Sequence, residues 1–157
     1  MLIKLILHGK TDNASLQLCM DDYIKRLQRY GTFSVKVIPD DKSLVKAPVP
    51  VRMKKEGEEL MKNIDQKDVV VLLDEKGKQF TSVAFASFIE ARVNASVKNL
   101  VFVVGGPYGF TEEVYKRADF KISLSDMTFS HQIVRLLFLE QLYRAFTIIR
   151  GEPYHHS

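Results

Sequence analysis

Two groups of residues near the C-terminal end have types and spacing suited to chemistry. The first is Gly105-Gly106-Pro107 within VGGPYGF, followed by the polar loop that opens LSDMTFSHQIVRLLFLEQLYRAF. The second is Arg144 on that long apolar segment, with Tyr154 and His155 in the terminal PYHHS. Glycines directly after an apolar strand let a ligand approach the backbone closely. Together the two groups suggest a small-molecule pocket built mostly from backbone, with Arg and His side chains close by. The glycines match neither GxGxxG nor a Walker A loop. On the motif alone, a plain strand-to-helix turn is the simpler reading. There is no GxSxG elbow for a hydrolase and no CxxC or HExxH for zinc, so no metal is expected. Asp74 closes an apolar run, where an acid can accept hydrogen bonds from a ribose or cap the turn that follows. Glu140 and Arg144 stand in the favourable order for an intrahelical ion pair. Chain termini usually fray, so position alone does not make Tyr154 and His155 functional.

The elements that must position these residues alternate along the chain. Strands are expected at Leu2–Leu7, Phe33–Ile38, Val69–Leu73, Leu100–Val104 and Phe120–Leu124. The third and fourth are continuously apolar, as buried parallel strands are. Leu16, Cys19, Met20, Tyr23, Ile24 and Leu27 recur at helical spacing, which puts the Cys19 thiol on an apolar face as a buried, inert group. The stretch up to Pro50 reads as a mobile loop, Arg52–Asn63 as a charged helix and Thr81–Val93 as a helix turning Val83, Ala84, Phe88 and Phe85 inward. Thr111 and Ser130 are helix N-cap candidates. The alternation gives an α/β domain with a mostly parallel sheet flanked by helices, one domain over residues 1–157. The last helix is apolar around most of its circumference. One packed stripe needs far less, so a symmetric dimer through this helix is expected.

Composition narrows the class. The 157 residues are 46% hydrophobic and 27% charged, as in a soluble globular protein, and no stretch has the apolar length to cross a membrane. The N-terminal MLIKLILHGKTDN lacks a basic leader region and a cleavage site, and reads as a strand. A single cysteine suits a reducing cytoplasm. The net charge of +4 is a mild pointer to a polyanionic partner.

Taken together, GGPYGF, LSDMTFSHQIVRLLFLEQLYRAF and EPYHH resemble the RlmH family of small SPOUT-class methyltransferases. The likeness extends upstream through LLDEKGKQFTSVAFASFI and KKEGE, nearly the whole chain. It departs at Ser130, where the family often has Pro, and after His155, where the tail is usually charged. The resemblance implies a SPOUT-type α/β fold with a C-terminal trefoil knot and a homodimer. It implies S-adenosylmethionine held by Leu73, Gly105, Gly106, Ser125, Asp126, Met127, Thr128, Phe129 and Ser130. The implied substrate is 23S rRNA in the assembled ribosome, methylated at N3 of the pseudouridine conventionally numbered 1915. Arg144, Tyr154 and His155 are the implied catalytic residues.

Methyl transfer from a sulfonium is an in-line displacement that requires near-attack geometry. Arg144 and His155 suit stabilisation of the anion that develops as N3 loses its proton, and an imidazole can instead take that proton. Tyr154 offers a stacking face. The alternatives are a knotted tRNA methyltransferase, a non-catalytic rRNA-binding assembly factor and a generic nucleotide-binding α/β protein.

Overall fold

The computed structural model describes residues 1–156. Five parallel strands form one sheet: β1 (Leu2–His8), β2 (Phe33–Ile38), β3 (Val69–Gln79), β4 (Asn99–Val104) and β5 (Phe120–Ser123). Their order in the sheet is β2-β1-β4-β3-β5. The helices are α1 (Ala14–Leu27), α2 (Val49–Lys62), α3 (Ser82–Asn94), α4 (Glu112–Arg117) and α5 (Ile133–Ile149). α1, α3 and α5 cover one face of the sheet, where Leu5, Phe102 and Phe138 are fully buried. α2 and α4 cover the other, over Ile6, Leu72 and Val103. Burial on both faces is why the central strands are apolar at successive positions rather than alternating.

Local caps fix where the helices begin. Asn13, Thr81 and Thr111 accept from the amides of Leu16, Ala84 and Val114. Ser130 does cap, with Oγ accepting from the amides of Gln132 and Ile133. The stretch before Arg52 is more ordered than expected. A 3₁₀ turn spans Lys42–Leu44, and α2 starts at Val49 with Pro50 in its first turn, where a missing N–H costs nothing.

Two other expectations fail. Cys19 is exposed, because the face of α1 that meets the core is carried by Met20 and Leu27. In α3 the buried residues are Phe85, Ala86, Phe88 and Ile89, while Val83 and Ala84 face out. The apolar breadth of α5 is largely answered within the chain, since α1 and α3 both pack against it. Ile133 alone of its large apolar residues stays exposed.

β3 is longer than its apolar run. It pairs with β5 at Leu73↔Ile122 and again at Lys78↔Ile122, so Asp74–Gly77 bulges out between. Gly77 makes that possible. A Cβ there would stand 2.5 Å from the carbonyl carbon of Ile122, and only glycine lets the two backbones close.

Candidate functional site

The C-terminal ends of β3, β4 and β5 converge on a crevice of about 570 Å³. Leu73, Gly105, Gly106, Ser125, Met127, Thr128, Phe129 and Ser130 all line it. Asp126 does not; its Oδ1 accepts from Gln79 Nε2 on β3. The loop after β5 is shaped by its own hydroxyls. Ser123 Oγ donates to the Ser125 carbonyl at 2.9 Å, and Ser125 Oγ accepts from the Met127 amide at 3.0 Å. Gly105 is confined by the Phe110 ring, 2.9 Å from where a Cβ would be, and Gly106 by Glu56 Oε2 at 3.2 Å.

Asp74 caps the bulge, with Oδ1 accepting from the Lys76 amide at 2.8 Å. Its other oxygen accepts from the Tyr115 hydroxyl. Burial, reinforced by that bond, pushes the Tyr115 phenol up to about 12. The crevice thus offers apolar walls at Leu73, Ile122, Leu124 and Val134, backbone at two glycines, and carboxylates at Asp74 and Glu75. That combination fits a nucleoside carrying a cationic sulfonium, with a flat base for the apolar walls and acids for the positive charge.

A second cavity of about 490 Å³ adjoins the first, sharing Gly106, Pro107 and His131 with it. His8, Asp40 and Glu56 meet there: His8 Nε2 lies 3.3 Å from Asp40 Oδ1 and 3.5 Å from Glu56 Oε1. Sequence reading missed this group, because its members come from β1, the β2 exit and α2. The only signal was Glu56 within KKEGE.

Arg135, on α5, holds the end of β1 beside the second cavity. It is fully buried and donates to the carbonyls of His8 at 2.7 Å and Gly9 at 2.8 Å, and to Thr11 Oγ1 at 3.0 Å. No carboxylate reaches it, and burial lowers its affinity for the proton.

Arg144, Tyr154 and His155 form a separate cluster. Arg144 makes a bidentate pair with Glu140 Oε1, at 2.6 Å from Nη2 and 3.1 Å from Nε. Its Nη1 lies 3.2 Å from His155 Nδ1, and its guanidinium sits 4.7 Å from the centre of the Tyr154 ring. The Tyr154 hydroxyl donates to Glu140 Oε1 at 3.1 Å and lies 3.4 Å from the Tyr23 hydroxyl. Burial and these bonds push the Tyr154 phenol well above its ordinary range, so it stays a protonated donor. The pair with Glu140 keeps Arg144 more firmly charged. The tail is held because Tyr154 packs edge-on against Tyr143 and Glu152 accepts from the Tyr30 hydroxyl. Glu140, read from the sequence as a plain ion-pair partner, is the hub of the cluster.

One chain does not bring crevice and cluster together. Arg144 lies three turns beyond Ile133, roughly 16 Å along α5 at about 1.5 Å per residue. Among the described residues, no group of three or more His, Cys, Asp and Glu side chains is placed to hold a metal ion. None of their helices is long and apolar enough to cross a membrane.

A family model described as "Predicted SPOUT methyltransferase" matches residues 1–155. The chain is 54% identical over 155 residues to the Ribosomal RNA large subunit methyltransferase H of Flavobacterium johnsoniae, covering 99% of each. It is 55% identical over 156 residues to the protein of the same name from Christiangramia forsetii, again 99% of each. For that from Parabacteroides distasonis the figure is 51% over 157 residues, the whole of both. Among solved structures it is similar to a tRNA (m1G37) methyltransferase from Aquifex aeolicus, with a TM-score of 0.60 and 17% identity over 100% of this chain and 76% of that one. At that identity the likeness concerns the fold.

Proposed function

This chain belongs to the SPOUT methyltransferase family, and on that premise we propose that it methylates N3 of a pseudouridine in 23S rRNA on the assembled ribosome. The enzyme is an S-adenosylmethionine-dependent rRNA methyltransferase. The observation that carries this is identity above 50% across the full length of relatives named for the large ribosomal subunit RNA. The tRNA alternative has only fold likeness behind it. A ribosomal substrate places the protein in the bacterial cytoplasm.

The cofactor supplies an electrophilic methyl group. Leu73, Gly105, Gly106 and the loop from Ser125 to Ser130 would hold it, with Asp74 and Glu75 as the acids the crevice offers a positive charge. Asp126 contributes by fixing that loop to Gln79 rather than by contact.

The protein works as a two-fold dimer with composite sites. Crevice and Arg144 cluster lie at opposite ends of α5, and a second copy can lay its cluster over the first copy's crevice. Exposed Met127, Phe129, Ile133 and Tyr108 beside the crevice are the apolar rim such a copy would cover. In that arrangement Arg144, already neutralised in part by Glu140, stabilises charge on the base carbonyls as the N3 proton leaves. Tyr154, protonated, stacks or donates, and His155 accepts or relays the proton. A C-terminal trefoil knot belongs to the same proposal. Support comes from the return of the chain from edge strand β5 across the ends of β3 and β4 to α5.

The test is methyl incorporation into ribosomes from a strain lacking this activity, with mapping of the product. N3-methylpseudouridine in 23S rRNA is the expected result. Product only on naked tRNA would favour the tRNA reading. Ribosome binding without turnover would favour an assembly factor.

A further inference from the structure

The second cavity lies where the sheet reverses its connections. β1 leads into α1 on one face and β4 into α4 on the other. Open parallel sheets take ligands outside the strand ends at such a point. His8 and Gly9 end β1 there, and Gly106 and Pro107 leave β4. Its volume of about 490 Å³ is in the range of small-molecule sites. A ligand in it is separated from the crevice only by the shared wall at Gly106, Pro107 and His131. Donor and acceptor of a transferred group need that adjacency. Lys10, Arg52 and Lys55 also line this cavity and suit a sugar–phosphate backbone.

Glu56 lines the second cavity and stands against the shared wall at Gly106. Its Oε2 lies 3.2 Å from the Cβ position of Gly106. Its Oε1 lies toward His8 Nε2 at 3.5 Å, and Oε2 is the oxygen turned to the glycine. The Glu56 side chain is 20% exposed, against 70% for Asp40 on the other side of the same imidazole. Water therefore competes less for a hydrogen bond at Glu56.

Resting on the reading that the target is a pseudouridine, we propose that Glu56 Oε2 accepts the N1–H of the target base and so distinguishes pseudouridine from uridine. Pseudouridine presents an N–H donor where uridine presents a C–H. Its two ring nitrogens flank one carbonyl, so a base that turns N3 to the crevice at Gly106 keeps N1 beside the same wall. No proton is transferred in this contact. With uridine the carboxylate faces a C–H and is desolvated without a partner.

Methyl incorporation is compared on ribosomes carrying pseudouridine and on ribosomes carrying uridine at the target. Wild type should favour pseudouridine by about 100-fold or more, since sites built to bond an N–H reject analogues that lack it. Glu56→Leu should bring the rate on pseudouridine down to within about 3-fold of that on uridine. Glu56→Gln keeps the shape and a weaker, neutral acceptor, and should cut the preference by about 10-fold. Calorimetric cofactor affinity reports an intact crevice in each variant. A Leu variant with the full wild-type preference overturns the proposal, as does a wild type that methylates both preparations equally. If the Leu variant fails to bind cofactor, the Gln variant decides by the same comparison. A wild type that methylates neither preparation instead refutes the pseudouridine reading itself.

Discussion

Replacing Gly77 by alanine puts one methyl group into the seam between β3 and β5. The added carbon would stand 2.5 Å from the carbonyl carbon of Ile122, 2.6 Å from its nitrogen and 2.7 Å from the carbonyl carbon of Lys121. Ordinary carbon contacts are about 3.5–4.0 Å, so β5 must retreat by about 1 Å. All three atoms are backbone, and none can swing aside as a side-chain end can. Beyond the bulge the seam is held by the pairs Lys78↔Ile122 and Gln79↔Ser123. Losing the backbone bonds there costs about 1 kcal/mol each, and overpacking beside buried Ile122 adds about 1–3 kcal/mol. The sum is roughly 3–5 kcal/mol. At about 2–4 °C per kcal/mol for a chain of this size, the melting temperature should fall by about 6–20 °C. Thermal unfolding followed by circular dichroism measures it. Gly106→Ala is the matched control, because its methyl would meet only the flexible end of Glu56 at 3.2 Å. That variant should melt within about 3 °C of wild type. If Gly77→Ala also melts within about 3 °C, the close approach of the two backbones is not what requires glycine at this position.

Gly106→Val should abolish calorimetric binding of S-adenosylmethionine with the fold retained; unchanged affinity would move the cofactor site elsewhere. Removing residues 154–157 should nearly eliminate ribosome methylation while changing cofactor affinity far less, and full activity would make the tail a mere terminus. Mixing those two inactive proteins should restore about a quarter of wild-type activity, because half of randomly exchanged dimers are mixed and each has one intact composite site. No recovery after verified subunit exchange would mean each site is built within one chain. The raised Tyr154 phenol contributes stability that is complete below about pH 10, the unfolded phenol value, and is lost as pH rises through the folded one. Denaturant stability should therefore fall less steeply above pH 10 in Tyr154→Phe than in wild type. Identical slopes would show that the phenol is not held protonated.

Much of the scaffold was legible because its signals are local. A strand buried on both faces must be continuously apolar, and β4 follows directly from Leu100–Val104; the edge strand β2 also stands at Phe33–Ile38, as expected. Caps at Thr111 and Ser130 depend on a hydroxyl and an amide two or three residues on, which sequence displays. The crevice residues were legible through the spacing of GGPYGF and LSDMTF, and through the family likeness those motifs carry. Periodicity misplaced the faces of α3 and the environment of Cys19, since apolar spacing does not say which flank of a stripe a neighbouring helix covers. Sequence gave no sign of the bulge at Asp74–Gly77, because β5 closes on it from more than 40 residues away. Tertiary structure alone decided that His8, Asp40 and Glu56 share one wall, that Glu140 organises the Arg144 cluster, and that this cluster stands away from the crevice. These are contacts between residues distant along the chain, fixed by strand order and helix placement, and pairing at long range leaves no periodic trace in a single sequence.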